Sequence, residues 1–118
     1  MINVDSEKKL IEITRGDTGR LVFSAKDENG NAYVPVADDV IRFAVAKEFG
    51  KEPLFEITHV MENDANDFWG FKIEPEHTKS LKFMDYVFDV EMTTAYGVDT
   101  IIGETDTIRP TFRVWGEI

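Results

Sequence analysis

The stretch Asp85-Tyr86-Val87-Phe88-Asp89-Val90-Glu91-Met92-Thr93-Thr94 interleaves Tyr86, Phe88, Val90 and Met92 with Val87, Asp89, Glu91 and Thr93. An extended chain points successive side chains to opposite faces, so this period of two reads as a half-buried β-strand. A slip of one residue would bury two carboxylates, which sets the register firmly. Asp85, Asp89 and Glu91 then fall on the outward side, as a solvated polar face that also deters edge-to-edge pairing.

Working outward from this strand, the same period recurs on both sides. Leu10 to Thr14 places Ile11 and Ile13 on one face, and Arg20 to Lys26 places Leu21, Phe23 and Ala25 inward. Val40 to Lys47 aligns Ile41, Phe43 and Val45; Leu54 to Met61 aligns Phe55, Ile57 and Met61; Phe68 to Ile73 aligns Trp69, Phe71 and Ile73. Thr100 to Gly103 is a short strand, and Thr107 to Trp115 puts Ile108, Phe112 and Val114 inward. Pro110 within that last run removes a ladder donor, which predicts an edge or bulged strand. Turn residues separate the segments, most clearly Asp27-Glu28-Asn29-Gly30, because Asn-Gly accepts the positive φ of a tight hairpin. Only Pro75 to Leu81 breaks the period, with a proline at a first helical position and an acid in the first turn. The expected fold is all-β: an antiparallel, immunoglobulin-like β-sandwich of about seven to nine strands with one short helical turn near residues 75–81. No segment has the length and period of a crossover helix.

The chain has 118 residues, a length that fits one domain spanning 1–118, with residues 1–8 expected to form a flexible N-terminal arm. Its 23 acidic residues against 13 basic ones give a formal net charge of −10, which argues against a nucleic-acid partner, since phosphate neutralisation needs clustered Lys and Arg. There is no cysteine, hence no disulfide, thiolate metal site or cysteine nucleophile. The start lacks the apolar core of a signal peptide, and no apolar run approaches the ~18 residues of a membrane helix. The expectation is a chain kept in the cytosol, or one that leaves by a route without a leader such as cell lysis, and no membrane partner.

The catalytic inventory is thin. Glu62-Asn63-Asp64-Ala65-Asn66-Asp67 spaces oxygen ligands as calcium loops do, but Asp67 stands where that pattern wants glycine and Ile73 where it wants glutamate. It reads as a polar hairpin connection. His59 and His77 lie in different elements; His59 reads as a locally satisfied strand residue and His77 as exposed on the helical turn. Of the three serines, Ser6, Ser24 and Ser80, none sits in a nucleophile elbow, and a His77–Ser80 pair lacks an orienting acid and an oxyanion hole. Asp38-Asp39, Asp85/Asp89/Glu91 and Glu104/Asp106 are carboxylate groupings too common to indicate acid–base work. Arg15-Gly16-Asp17, a tripeptide read by some integrins, reads here as a turn. The expectation is no enzyme, no metal and no cofactor. Trp69 has core parity. Trp115 shares the outward parity of Arg109, Thr111 and Arg113, and a tryptophan beside Arg113 has the composition of an interaction hot spot. Trp115 and Arg113 are therefore the candidate partner-binding residues. The alternative is a carbohydrate-binding module using Trp115, Tyr96 and nearby acids.

Several phrases resemble a known family. Ile11-Glu12-Ile13-Thr14-Arg15-Gly16-Asp17-Thr18, the hairpin Asp27 to Asn31, and Val40-Ile41-Arg42-Phe43-Ala44-Val45 resemble the start of small β-sandwich proteins of tailed phages and prophages. Ile73 to Leu81 followed by Tyr86-Val87-Phe88-Asp89-Val90 is similar to their later turn and strand. The N-terminal domain of phage baseplate upper proteins has this character, and Phe83-Met84-Asp85 departs from it where a glycine before the tyrosine is typical. The resemblance implies a structural role: a virion component or assembly accessory, assembled in the bacterial cytoplasm, that docks to other tail proteins or to copies of itself as an oligomer. The acidic charge would keep the free subunit soluble.

Overall fold

In the computed structural model, which describes residues 2–23, 26, 29–62, 70–103 and 108–116, the opening strand is central. The elements in chain order are β1 (Ile2–Asp5), β2 (Leu10–Thr14), β3 (Gly19–Val22), β4 (Val40–Ala46), β5 (Phe55–Val60), β6 (Gly70–Ile73), α1 (Pro75–Thr78), β7 (Asp85–Thr94), β8 (Gly97–Ile102) and β9 (Thr111–Trp115). Seven strands form one sheet in the order β1-β2-β9-β7-β4-β5, with β8 also pairing β7; β3 and β6 form a separate two-stranded sheet. The protein is thus mostly β, with about nine strands and one short helix.

The larger sheet is mixed, not antiparallel throughout. β2 and β9 run parallel, with Ile11 beside Phe112 and Ile13 beside Val114, while β7 pairs antiparallel with β4, β8 and β9. β7 accommodates two partners on one side: Asp85 to Val87 face β9, and Val90 to Thr94 face β8 across a bulge at Val90/Glu91. β9 is interior, between β2 and β7, which corrects the edge placement expected from Pro110. Pro110 lies just before the strand, so the ladder loses no donor there. Its carbonyl instead accepts from the Phe88 N–H at 3.3 Å. Residues 2–5, within the expected flexible arm, form β1 and pair with β2; Ile2 packs against the core beside Ile13.

The inward face carries the predicted apolar sets. Ile11, Ile13, Ile41, Phe43, Val45, Tyr86, Phe88, Val90, Met92, Phe112 and Val114 are all buried. Phe43 is the hub, with the rings of Phe71, Phe88, Phe112 and Phe55 at centroid distances of 5.4, 5.5, 6.0 and 6.2 Å. Phe71 belongs to β6, so this ring cluster joins the two sheets. Gly70 permits the pairing of β6 with β3: a Cβ there would stand 1.9 Å from the Leu21 carbonyl oxygen.

The outward face is partly covered as well. Val87, assigned to the polar side by parity, is 5% exposed, because the connection from Glu48 to Pro53 lies over it and over Ala44. The Arg109 guanidinium, 5.8 Å from the centroid of Phe49, ties this connection to the segment before β9. Between β3 and β4, Asp39 is 2% exposed and accepts from the Tyr33 hydroxyl and from the Val36 N–H at 3.0 Å. That hydrogen bond to the carboxylate, with burial, pushes the Tyr33 phenol up to about 12. The Asp39 carboxylate therefore holds a loop. Gly30 lies at φ 82, as expected of a turn glycine, and an antiparallel bridge joins Lys26 to Ala32, a register one residue off that of a two-residue Asn29-Gly30 hairpin. The expected positions of Ser24, Ala25, Asp27, Glu28, Asn63 to Trp69, Glu104 to Thr107 and the inward parity of Trp69 lie outside the described residues.

Candidate interaction surface

Trp115 is the last residue of β9, opposite Thr14 on β2, and is 48% exposed on the outward face. Its indole Nε1–H donates to Glu12 Oε2 at 2.8 Å, which fixes the ring over the β2–β9 seam. Two residues earlier, Arg113 lies between Glu12 on β2 and Asp85 on β7. It donates through Nε and Nη2 to the two Asp85 oxygens at 2.7 and 3.1 Å, a bidentate fork, and Nη1 lies 4.0 Å from Glu12. These hydrogen bonds hold the Asp85 carboxyl below the usual carboxylate range despite some burial. The Arg113 guanidinium carbon stands 5.7 Å from the Trp115 ring centroid. Cross-strand neighbours thus brace the two predicted residues against each other.

The fold adds two residues that parity did not select. Arg15, just after β2, donates its backbone N–H to the Trp115 carbonyl at 2.9 Å, and its guanidinium lies 4.2 Å from the centroid of the Phe83 ring. Phe83 is 54% exposed and rests on Gly116, where a Cβ would come within 3.0 Å of the ring. Gly16, at φ 85, donates its N–H to the buried Thr78 hydroxyl at 2.9 Å and anchors the Arg15 turn to α1. Arg15-Gly16-Asp17 is therefore a packed turn. One end of the sheet presents two half-exposed aromatic rings, each with an arginine against it. In sequence, Phe83 is visible only as an aromatic flanking the clearest strand, and Arg15 only as part of a turn.

The other groupings resolve into structural roles. Asp89 and Glu91 are outward, as expected, and converge with Glu56 on Arg42, whose Nη1 lies 4.0 Å from Asp89 and 3.5 Å from Glu91. Burial pushes the Asp89 carboxyl up against the pull of Arg42. His77 is not exposed on the turn: its ring stacks on Phe55, with centroids 5.2 Å apart at 21°, and Nδ1 accepts from the Glu74 N–H at 2.8 Å. That closes a capping box at the start of α1 and occupies the nitrogen nearest the backbone. His59 lies in β5, beside Ile41 of β4. Among the described residues no three His, Asp or Glu side chains are placed to hold a metal ion together. Trp115 adjoins the start of β7 and Tyr96 follows its end, and the ten residues of β7 span roughly 30 Å. The two rings do not form one platform.

Compared with family models, curated proteins and solved structures, the chain matches none.

Proposed function

We propose that this chain is a non-catalytic structural protein of a tailed phage or prophage, a tail or baseplate component or assembly accessory that works through protein–protein association. The observation that carries the association is a pair of half-exposed aromatic rings at one end of the sheet, Trp115 beside Arg113 and Phe83 beside Arg15. Aromatic residues and arginine are enriched at interfaces, with Trp and Arg prominent among hot spots; tryptophan buries much area with few rotatable bonds. Here the rings are half-exposed yet already ordered by Glu12, Asp85 and the Arg15 turn, so little ordering remains for a partner to impose. The phage setting rests on the resemblance of the strand-and-turn phrases. On this reading the two-stranded β3–β6 layer is the reduced second face of a sandwich, and the parallel β2–β9 pair is a departure from an immunoglobulin-like pattern. Partners are other virion proteins or further copies, and assembly takes place in the bacterial cytoplasm.

The test is reconstitution with tail or baseplate proteins of the particle this reading assigns it to. Trp115→Ala should weaken complex formation at least tenfold, about 1.4 kcal/mol or more. The surface change Tyr96→Ala, beyond the far end of β7, should leave it unaltered. Equal affinity of wild type and Trp115→Ala would remove the reading.

A further inference from the structure

We infer that the cavity between the two sheets is a binding site for an amphipathic carboxylate, an unbranched apolar tail ending in one anionic head. The cavity holds about 340 Å³ and lies between the β1–β2 hairpin, the end of β3 and the end of β8. Buried Ile11, Leu21 and Phe88 form its floor, with Ile102 beside them. Val4 and Val22 line its mouth and are 59% and 70% exposed, although both belong to strands. Small-molecule sites have this character: a concave apolar floor of about 300 Å³ or more with a few polar groups at the rim. At ~30 Å³ per heavy atom, one water's share of the liquid, the volume accommodates about ten heavy atoms. An eight-carbon carboxylate is that size.

The rim selects the head group. In a chain of net charge −10, Lys9 and Arg20 both line this cavity. Among the described residues lining it the one carboxylate is Asp5, whose Oδ1 accepts from the N–H groups of Glu7 and Lys8 at 3.1 Å each, so it caps the β1–β2 turn. Lys9 is held at φ 52, a conformation rare for a residue with a Cβ, and its carbonyl accepts from the Thr111 N–H at 2.9 Å. The fold thus retains a strained lysine at the mouth where glycine would be easier. A carboxylate at the rim would meet cations, and an apolar tail would lie along the apolar floor and cover the exposed Val4 and Val22 side chains at the mouth.

Calorimetric titration with octanoate, octanol and acetate tests this. Octanoate should bind saturably, one per chain, with amide NMR shifts concentrated at Val4, Ile11, Leu21 and Ile102. Octanol should bind at least fivefold more weakly, for lack of a head group, and acetate should not bind, for lack of a tail. Lys9→Gly relieves the backbone strain and so folds at least as well, yet it should weaken octanoate at least tenfold; Arg20→Gln should weaken it several-fold. No saturable octanoate binding up to about 10 mM would overturn the inference. So would octanol binding as tightly as octanoate, acetate giving the same shifts, or Lys9→Gly retaining full affinity.

Discussion

Phe43→Ala tests the packing that positions everything else. Phe43 sits in the middle of β4, fully buried, with Ile57 on one neighbouring strand and Val90 on the other. Removing a buried phenyl group forfeits about 1.5–3 kcal/mol of transfer free energy. A cavity term adds to this, because the walls are the rings of Phe55, Phe71, Phe88 and Phe112, contributed by four strands and both sheets. Walls anchored that widely collapse little, so the expected loss is about 3–5 kcal/mol. Against a typical total of about 5–15 kcal/mol, that leaves a folded but much weakened protein, or none. Phe43→Leu, retaining most of the apolar volume, should lose about 1–2 kcal/mol and keep the series measurable. Phe55→Ala, on the edge strand β5 and only partly buried, should also lose about 1–2 kcal/mol. Urea unfolding followed by far-ultraviolet circular dichroism gives each value. A Phe43→Ala loss under about 1 kcal/mol, or a Phe55→Ala loss as large as that of Phe43→Ala, would refute the hub.

Gly70→Ala should be destabilising by about 1–3 kcal/mol in the same assay, since its Cβ would collide with the Leu21 carbonyl that β3 presents. The Tyr33 phenol, raised from 10.0 to about 12, stabilises the fold while protonated. Its contribution is complete below pH 10 and lost as pH rises towards 12, so the stability difference between wild type and Tyr33→Phe should shrink over that window. Asp85 behaves oppositely: its folded carboxyl titrates below the usual value of 3.8, so its contribution is complete above that value and is lost as pH falls from there through the lower value of the folded state. Being half-exposed and screened by solvent, the Asp85–Arg113 pair should show only weak coupling in a double-mutant cycle. Glu91→Ala, on the outward face, should change stability by no more than about 0.5 kcal/mol.

The bounds of β2 and β7 were legible because their apolar residues alternate without interruption, and the start of α1 because Pro75 marks its first turn; the helix ends at Thr78, short of the expected residue 81. β1 has the same alternation, Ile2 and Val4 against Asn3 and Asp5, but four residues are too short to distinguish a strand from a chance pattern. The parallel seam of β2 with β9 was not legible. Period two fixes which face a strand buries and says nothing about which strand lies beside it. Pro110 misled for a related reason, since a proline one residue outside a strand removes no ladder hydrogen bond. The burial of Val87 depends on the connection from Glu48 to Pro53 turning over the sheet, a contact between segments far apart in sequence. At the candidate surface, parity placed Trp115 and Arg113 correctly outward. Phe83 and Arg15 lie outside the strands, and only the return of the chain beside β9 brings them to the same end.

The central claim is association through the Trp115 end of the sheet within a phage particle. Hydroxyl-radical footprinting of purified tailed particles, read by mass spectrometry against the isolated chain, tests it most directly. The account predicts that peptides of this chain are present in the particles and that Trp115 and Phe83, readily oxidised in the free protein, are protected there. Particles without the chain, or oxidation of Trp115 and Phe83 to the same extent in both samples, would contradict it.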